Sequence, residues 1–139
     1  MNFGTKLRTI LAIATSLNCV GINAVDYVVE QGTSPNGWTY RKWNSGIAEC
    51  WGVFVIAVAV TTASAGYGGY RSTSTSVPAF PFTFTGTPTL TAQIGSGSSG
   101  CWINNITPTP TGGSFFLSCG GSNASANRAF SFHAIGNWK

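Results

Sequence analysis

Charge is the scarcest property of this chain. Charged residues make up 7% of its 139 residues, against roughly 25% in ordinary globular chains. The acids are Asp26, Glu30 and Glu49, and the only histidine is His133. A Ser-His-Asp triad would need both His133 and Asp26, from opposite ends of the sequence. No Gly-x-Ser-x-Gly elbow occurs. A glycosidase pair would have to be drawn from the same three acids, with Glu30 and Glu49 the candidates. Glu49 stands close to Arg41 and Lys42, and a structural ion pair is the better expectation. There is no phosphate loop and no Cys-x-x-Cys, and one histidine cannot complete an ordinary zinc set. The expectation is a protein without cofactor, metal or enzymatic activity.

Two further absences matter. The net charge is +4, yet the seven basic residues are scattered and only Arg41-Lys42 are adjacent. On a strand those two point to opposite faces, so no basic stripe forms and nucleic acid is not an expected partner. Long hydrophobic runs are also missing. Lys6 and Arg8 precede Ile10-Leu11-Ala12-Ile13-Ala14, which is too short and interrupted for a membrane span. Residues 1–25 read either as a signal-like segment or as a short helix with Leu7, Leu11, Ala14 and Leu17 on one stripe. The domain proper is expected over 26–139.

What the chain does have is 43% hydrophobic and 13% aromatic residues, together with 18 glycines. That apolar content is enough to offset ordering entropy. The densest stretch is Trp38–Gly52, which holds three of the five tryptophans. Trp38, Tyr40 and Lys42 alternate with Thr39, Arg41 and Trp43, the period of a strand. Asn44-Ser45-Gly46 supplies turn chemistry, and a second strand follows over 47–62. Val53–Val60 is nearly continuous apolar, which predicts burial on both faces, by the core and by a neighbouring chain or sheet. Further strands are expected at 27–29, at 77–85 with Phe80, Phe82 and Phe84 in phase, at 87–94, at 101–106 and 114–119 as a hairpin, and at 129–138. Residues 63–76 read as a long loop or edge segment, and 120–127 as a polar loop. Seven or eight short strands predict an all-β antiparallel sandwich or jelly roll. The tryptophans are expected in the core.

Cys101 and Cys119 face each other if the second hairpin is symmetric about residue 110. A cross-strand disulfide is one outcome. Two half-buried thiols in a protein made in a reducing cytoplasm is the other, and the preferred one. For ligands, Tyr67, Tyr70 and Arg71 in a glycine-rich segment, and Asn123, Asn127 and Arg128 in the last loop, are the candidates for sugar stacking and hydrogen bonding. Their alternative role is to cover a sheet edge or a subunit contact.

The stretch Trp38–Gly52 resembles a segment of the C-terminal domains of phage and prophage tail-fibre and minor structural proteins from Gram-positive gut bacteria. Pro78-Ala79-Phe80-Pro81-Phe82-Thr83-Phe84 resembles that family's proline-phenylalanine strand, Thr87-Pro88-Thr89-Leu90 its successor, and Ala134-Ile135-Gly136-Asn137-Trp138-Lys139 its ending. The resemblance implies a homotrimeric tip of a virion tail fibre that contacts a host cell-surface glycan or protein, beside other tail proteins. It implies no catalytic residue. Family members usually carry a long shaft before this domain, where here 25 residues precede it. A secreted monomeric carbohydrate-binding or adhesin module is the alternative.

Overall fold

The structure, a computed structural model, describes residues 25–64, 69–95 and 100–139. The helix or signal-like segment lies outside the described residues. Among them the chain forms nine strands: β1 (Val28–Thr33), β2 (Thr39–Trp43), β3 (Ile47–Ser64), β4 (Gly69–Ser72), β5 (Thr75–Val77), β6 (Thr89–Ile94), β7 (Cys101–Thr109), β8 (Gly112–Cys119) and β9 (Asn123–Asn137). All pairings are antiparallel, and the nine form one continuous sheet. The expected all-β, antiparallel class is therefore what the chain adopts.

β3 is the spine. One of its edges pairs with β9 from Ile47 to Val60. The other pairs with β2 through Ala48–Trp51 and with β4 through Val60–Ser64. The strand therefore leaves one part of the sheet and enters another. On the first part the order is β1-β2-β3-β9-β6; beyond it, β4 and β5 share one edge of β8 and β7 takes the other. The sheet folds over so that β8 lies across β9 without pairing to it: Phe115 meets Phe130 and Phe132 at ring-centroid distances of 4.9 and 5.6 Å.

The alternation of side chains builds the core. On β3, Ala48, Cys50, Val58 and Val60 are buried; on β9, Phe130, Phe132 and Ala134; on β8, Phe115 and Leu117. Trp38, at the mouth of β2, is fully buried and packs against Phe54, Phe80 and Phe132 at 4.7, 5.4 and 6.4 Å. Phe54 reaches Trp38 by lying over Gly52, where a Cβ would stand 2.7 Å from the ring. Burial also holds the Cys50 thiol protonated, its pKa pushed up to about 12.

The β2–β3 turn falls at Asn44-Ser45-Gly46, as expected, with Gly46 at φ +97°. Both ends of the described domain are tied to it. Asp26 accepts from the Ser45 hydroxyl and amide at 2.8 and 3.1 Å. The Trp138 amide donates to the Gly46 carbonyl at 2.9 Å, and its indole to the Trp43 carbonyl at 3.1 Å.

In the single chain Val53–Val60 is buried by the core on one face, while Val53 and Val55 on the other are 68% and 69% exposed. Other expectations are corrected. The phenylalanine segment after β5 is not a strand. Pro78 and Pro81 have no N–H for a ladder, and the segment is stitched to the β7–β8 turn instead, Phe80 and Phe84 donating to the carbonyls of Thr111 and Pro110. Residues 63–76, expected as a loop or edge segment, contain two short strands: β4, paired on both sides, and β5, paired only with β8 at the sheet edge. The last loop is shorter than expected, because pairing with β3 carries β9 back to Asn123.

The second hairpin reaches its register through a bulge. Its turn end pairs Thr109 with Gly112, which would leave Cys101 out of step with Cys119. Asn105, at φ +52°, sits where the register slips between Asn104 and Thr107. Beyond the slip Cys101 faces Cys119 and the two are joined as a disulfide. The thiol alternative is corrected accordingly.

Candidate functional site

The outward face of β2, β3, β9 and β6 carries one ordered polar network of the domain. Antiparallel register places Arg41 beside Glu49 and Trp51 beside His133. Arg41 Nη2 and Nε donate to Glu49 Oε1 at 2.6 and 3.0 Å. His133 Nε2 lies 2.9 Å from Glu49 Oε2. Partial burial pulls the Glu49 pKa upward, but hydrogen bonds from His133 and Arg41 outweigh it and leave the carboxyl below the usual range. An ionised carboxylate only accepts, so His133 Nε2 carries the proton in this pair. Arg41 also lies against two tryptophans, 5.4 Å from the Trp43 ring centroid and 5.1 Å from that of Trp51.

A second network lies on the opposite face of β2, at its edge. Lys42 donates to Glu30 at 2.8 Å, and the Tyr40 hydroxyl to the same carboxylate at 2.9 Å. These bonds, that from Lys42 first, lower the Glu30 pKa, and the one from Tyr40 raises the phenol's. Lys42 is flanked by Phe82 and Trp138 with ring centroids at 5.0 and 5.2 Å. The expected ion pair of Glu49 is thus with Arg41 alone, since Lys42 turns to Glu30. Glu30 and Glu49 bind partners on opposite faces and do not flank a common space. Nor is a triad assembled: Asp26 is held by Ser45 and His133 by Glu49. Among the described residues no group of three or more His, Cys, Asp or Glu could hold a metal ion. No helix among them is long and apolar enough to cross a membrane.

Two depressions mark the outward face. One, of about 460 Å³, is lined by Trp51, Val53, Thr91, Gln93, Ser131 and His133, among others. The other, of about 430 Å³, is lined by Gln31, Thr33, Thr39, Tyr40, Arg41 and Trp51, among others. Trp51 belongs to both and stands between them.

The expected ligand residues lie elsewhere. Tyr67 is outside the described residues. Tyr70 and Arg71 are partly buried on β4, with the Arg71 guanidinium 4.5 Å from the Phe116 ring centroid. Asn123 and Asn127 are on β9, not in a loop, and Asn123 donates to the Gly121 carbonyl. Arg128 is buried, opposite Ile56. The tryptophans divide: Trp38 is core, Trp43 and Trp51 are half-buried around Arg41, and Trp102 is exposed. Alternation within 47–55 places Glu49 and Trp51 on the side away from Ala48 and Cys50. Pairing with His133, 82 positions away from Trp51, required the register of β9 and was not legible.

The fold has known counterparts. It is shared with fragments of a pyocin tail fibre. An N-truncated R1-type pyocin tail fibre superposes with a TM-score of 0.58 at 16% identity, covering 88% of this chain and 94% of that one. A C-terminal fragment of the P. aeruginosa R1 pyocin fibre gives 0.58 at 17% identity over 88% of this chain, which spans 31% of that fragment. No protein-family model and no curated protein matches the sequence.

Proposed function

We propose that this chain is a tail-fibre tip domain: a homotrimeric, non-enzymatic part of a phage or prophage virion tail that binds a receptor, a glycan, on the host cell surface. The observation that carries the proposal is the shared fold, with 88% of this chain superposing on 94% of an N-truncated pyocin tail fibre. The resemblance of Trp38–Gly52 to tail-fibre C-terminal segments points the same way from the sequence. The neighbours bring the fibre context and not a Gram-positive gut source. A sheet surface made of hydroxyls, amides and few charges suits a particle part exposed to variable surroundings. Val55, exposed on β3 opposite Ala129 and beyond the depressions, belongs to an apolar strip suited to contact between copies.

Adsorption tests the receptor role. Fluorescently labelled full chain is expected to decorate cells of some strains in a bacterial panel and to compete with the parent particle for them. Failure to bind any strain that the particle infects would remove the receptor role. One observation favours a second reading, a secreted monomeric carbohydrate-binding or adhesin module. The Cys101–Cys119 disulfide suits an oxidising compartment. Solution mass separates the two.

A further inference from the structure

We infer that the outward face of β1, β2, β3, β9 and β6 is the glycan site, and that it takes a linear neutral oligosaccharide laid across the strands with Trp51 as its stacking platform. This rests on the receptor-binding reading above and gives it a place and a ligand class. The register aligns Thr33, Thr39, Trp51, His133 and Thr91 in one row, each paired to the next across the sheet. At about 4.8 Å per strand spacing the row runs for roughly 19 Å. The two depressions lie along it, one on each side of Trp51. Gln31 and Arg41 flank one, and Ser131 and Gln93 the other.

The chemistry selects the ligand. A half-buried indole between two hollows offers an apolar plane to one sugar ring and room for a neighbour on each side. Around it stand hydroxyls and amides, which both donate and accept, as sugar hydroxyls do. Thr91 donates to the His133 carbonyl at 3.3 Å and keeps its acceptor lone pairs for a ligand. The strongest donors are already partnered: Arg41 and His133 both bind Glu49. A phosphate-bearing polymer would have to break that network, whereas a neutral sugar leaves it whole. A second copy of the chain, laid flat here, would strip water from Arg41 and His133 and leave two hollows beneath it. The network also holds the platform in place, because Arg41, fixed by Glu49, lies 5.1 Å from the Trp51 ring.

The test is a printed panel of short neutral hexose and N-acetylhexosamine oligosaccharides, with polyglycerol phosphate beside them, probed with the full chain. At least one neutral oligosaccharide should be retained. Trp51→Ala should weaken it about tenfold or more, as loss of a central aromatic anchor does. Gln93→Ala, at an exposed position, should weaken it severalfold. Trp102→Ala removes an exposed tryptophan on β7 and should leave binding unchanged. Circular dichroism and solution mass of Trp51→Ala should match the parent chain. Undiminished binding by both Trp51→Ala and Gln93→Ala would overturn the site, as would retention of the phosphate polymer alone. A changed mass for Trp51→Ala would give this face to a second copy. If labelled chain and Trp51→Ala decorate cells equally, the fibre-tip reading stands and this site falls. If the parent chain binds neither cells nor panel, both fall.

Discussion

Trp38 and Trp51 are thirteen positions apart in sequence and have opposite tasks. Trp38 is enclosed by Phe54, Phe80 and Phe132. Trp38→Ala should cost about 3–5 kcal/mol in denaturant unfolding, the range for emptying a large aromatic site. Trp38→Phe should cost clearly less, because the indole N–H has no hydrogen-bond partner to lose. Gly52 is bound to the same cluster. A methyl group there meets the Phe54 ring, so Gly52→Ala should destabilise by about 1–3 kcal/mol even though the position is in a strand, where alanine is otherwise tolerated. Glu49 supplies part of the pH dependence. Its carboxyl titrates below the ordinary value near 4.5 in the folded chain. Between that lowered value and 4.5 the unfolded chain binds more protons, so this stabilisation is complete above the window and is lost as pH falls through it. The thermal midpoint should drop on acidification below about pH 4.5, and Glu49→Gln should flatten part of that drop. An unchanged slope in the variant would remove Glu49 from the account.

At the scale of elements, the β7–β8 hairpin shows how local irregularity sets long-range chemistry. The single-residue slip at Asn105 puts Cys101 opposite Cys119, 18 positions apart. The double variant Cys101→Ser, Cys119→Ser should lose about 3 kcal/mol, the expected effect of opening a loop of that size. Guanidinium unfolding of oxidised protein measures it, and an unchanged midpoint would contradict the crosslink's structural role. The elements most legible in the sequence were those with strict alternation: the β2–β3 hairpin, β6, and the inward Phe130, Phe132 and Ala134 of β9. Those missed lacked a local signal. β4 (Gly-Tyr-Arg-Ser) and β5 (Thr-Ser-Val) are too short to carry a periodic signal, so their partners decide them, β8 for both and β3 for β4 as well. The segment from Pro78 to Phe84 has the period of a strand, but its prolines turn that period into a loop that still buries Phe80 and Phe84. The site was half legible. Composition and alternation place Arg41 with Glu49, while the Trp51–His133–Thr91 row appears only once three strands are in register.

For the whole molecule, the account joins a folded-over sheet with a polar, aromatic outward face and an apolar strip further along β3. The fold shared with pyocin tail fibres covers 88% of the chain, and the expected assembly is a homotrimer. In that assembly Val55→Asp should lower the solution mass, because a charge placed in the strip has to be desolvated on contact. It should leave the far-UV circular dichroism unchanged, since Val55 points away from the core. Light scattering on the full chain tests the claim most directly. The predicted mass is three times the 14.5 kDa of one chain. A single-chain mass across the working concentration range would contradict the trimeric tip and favour the secreted module.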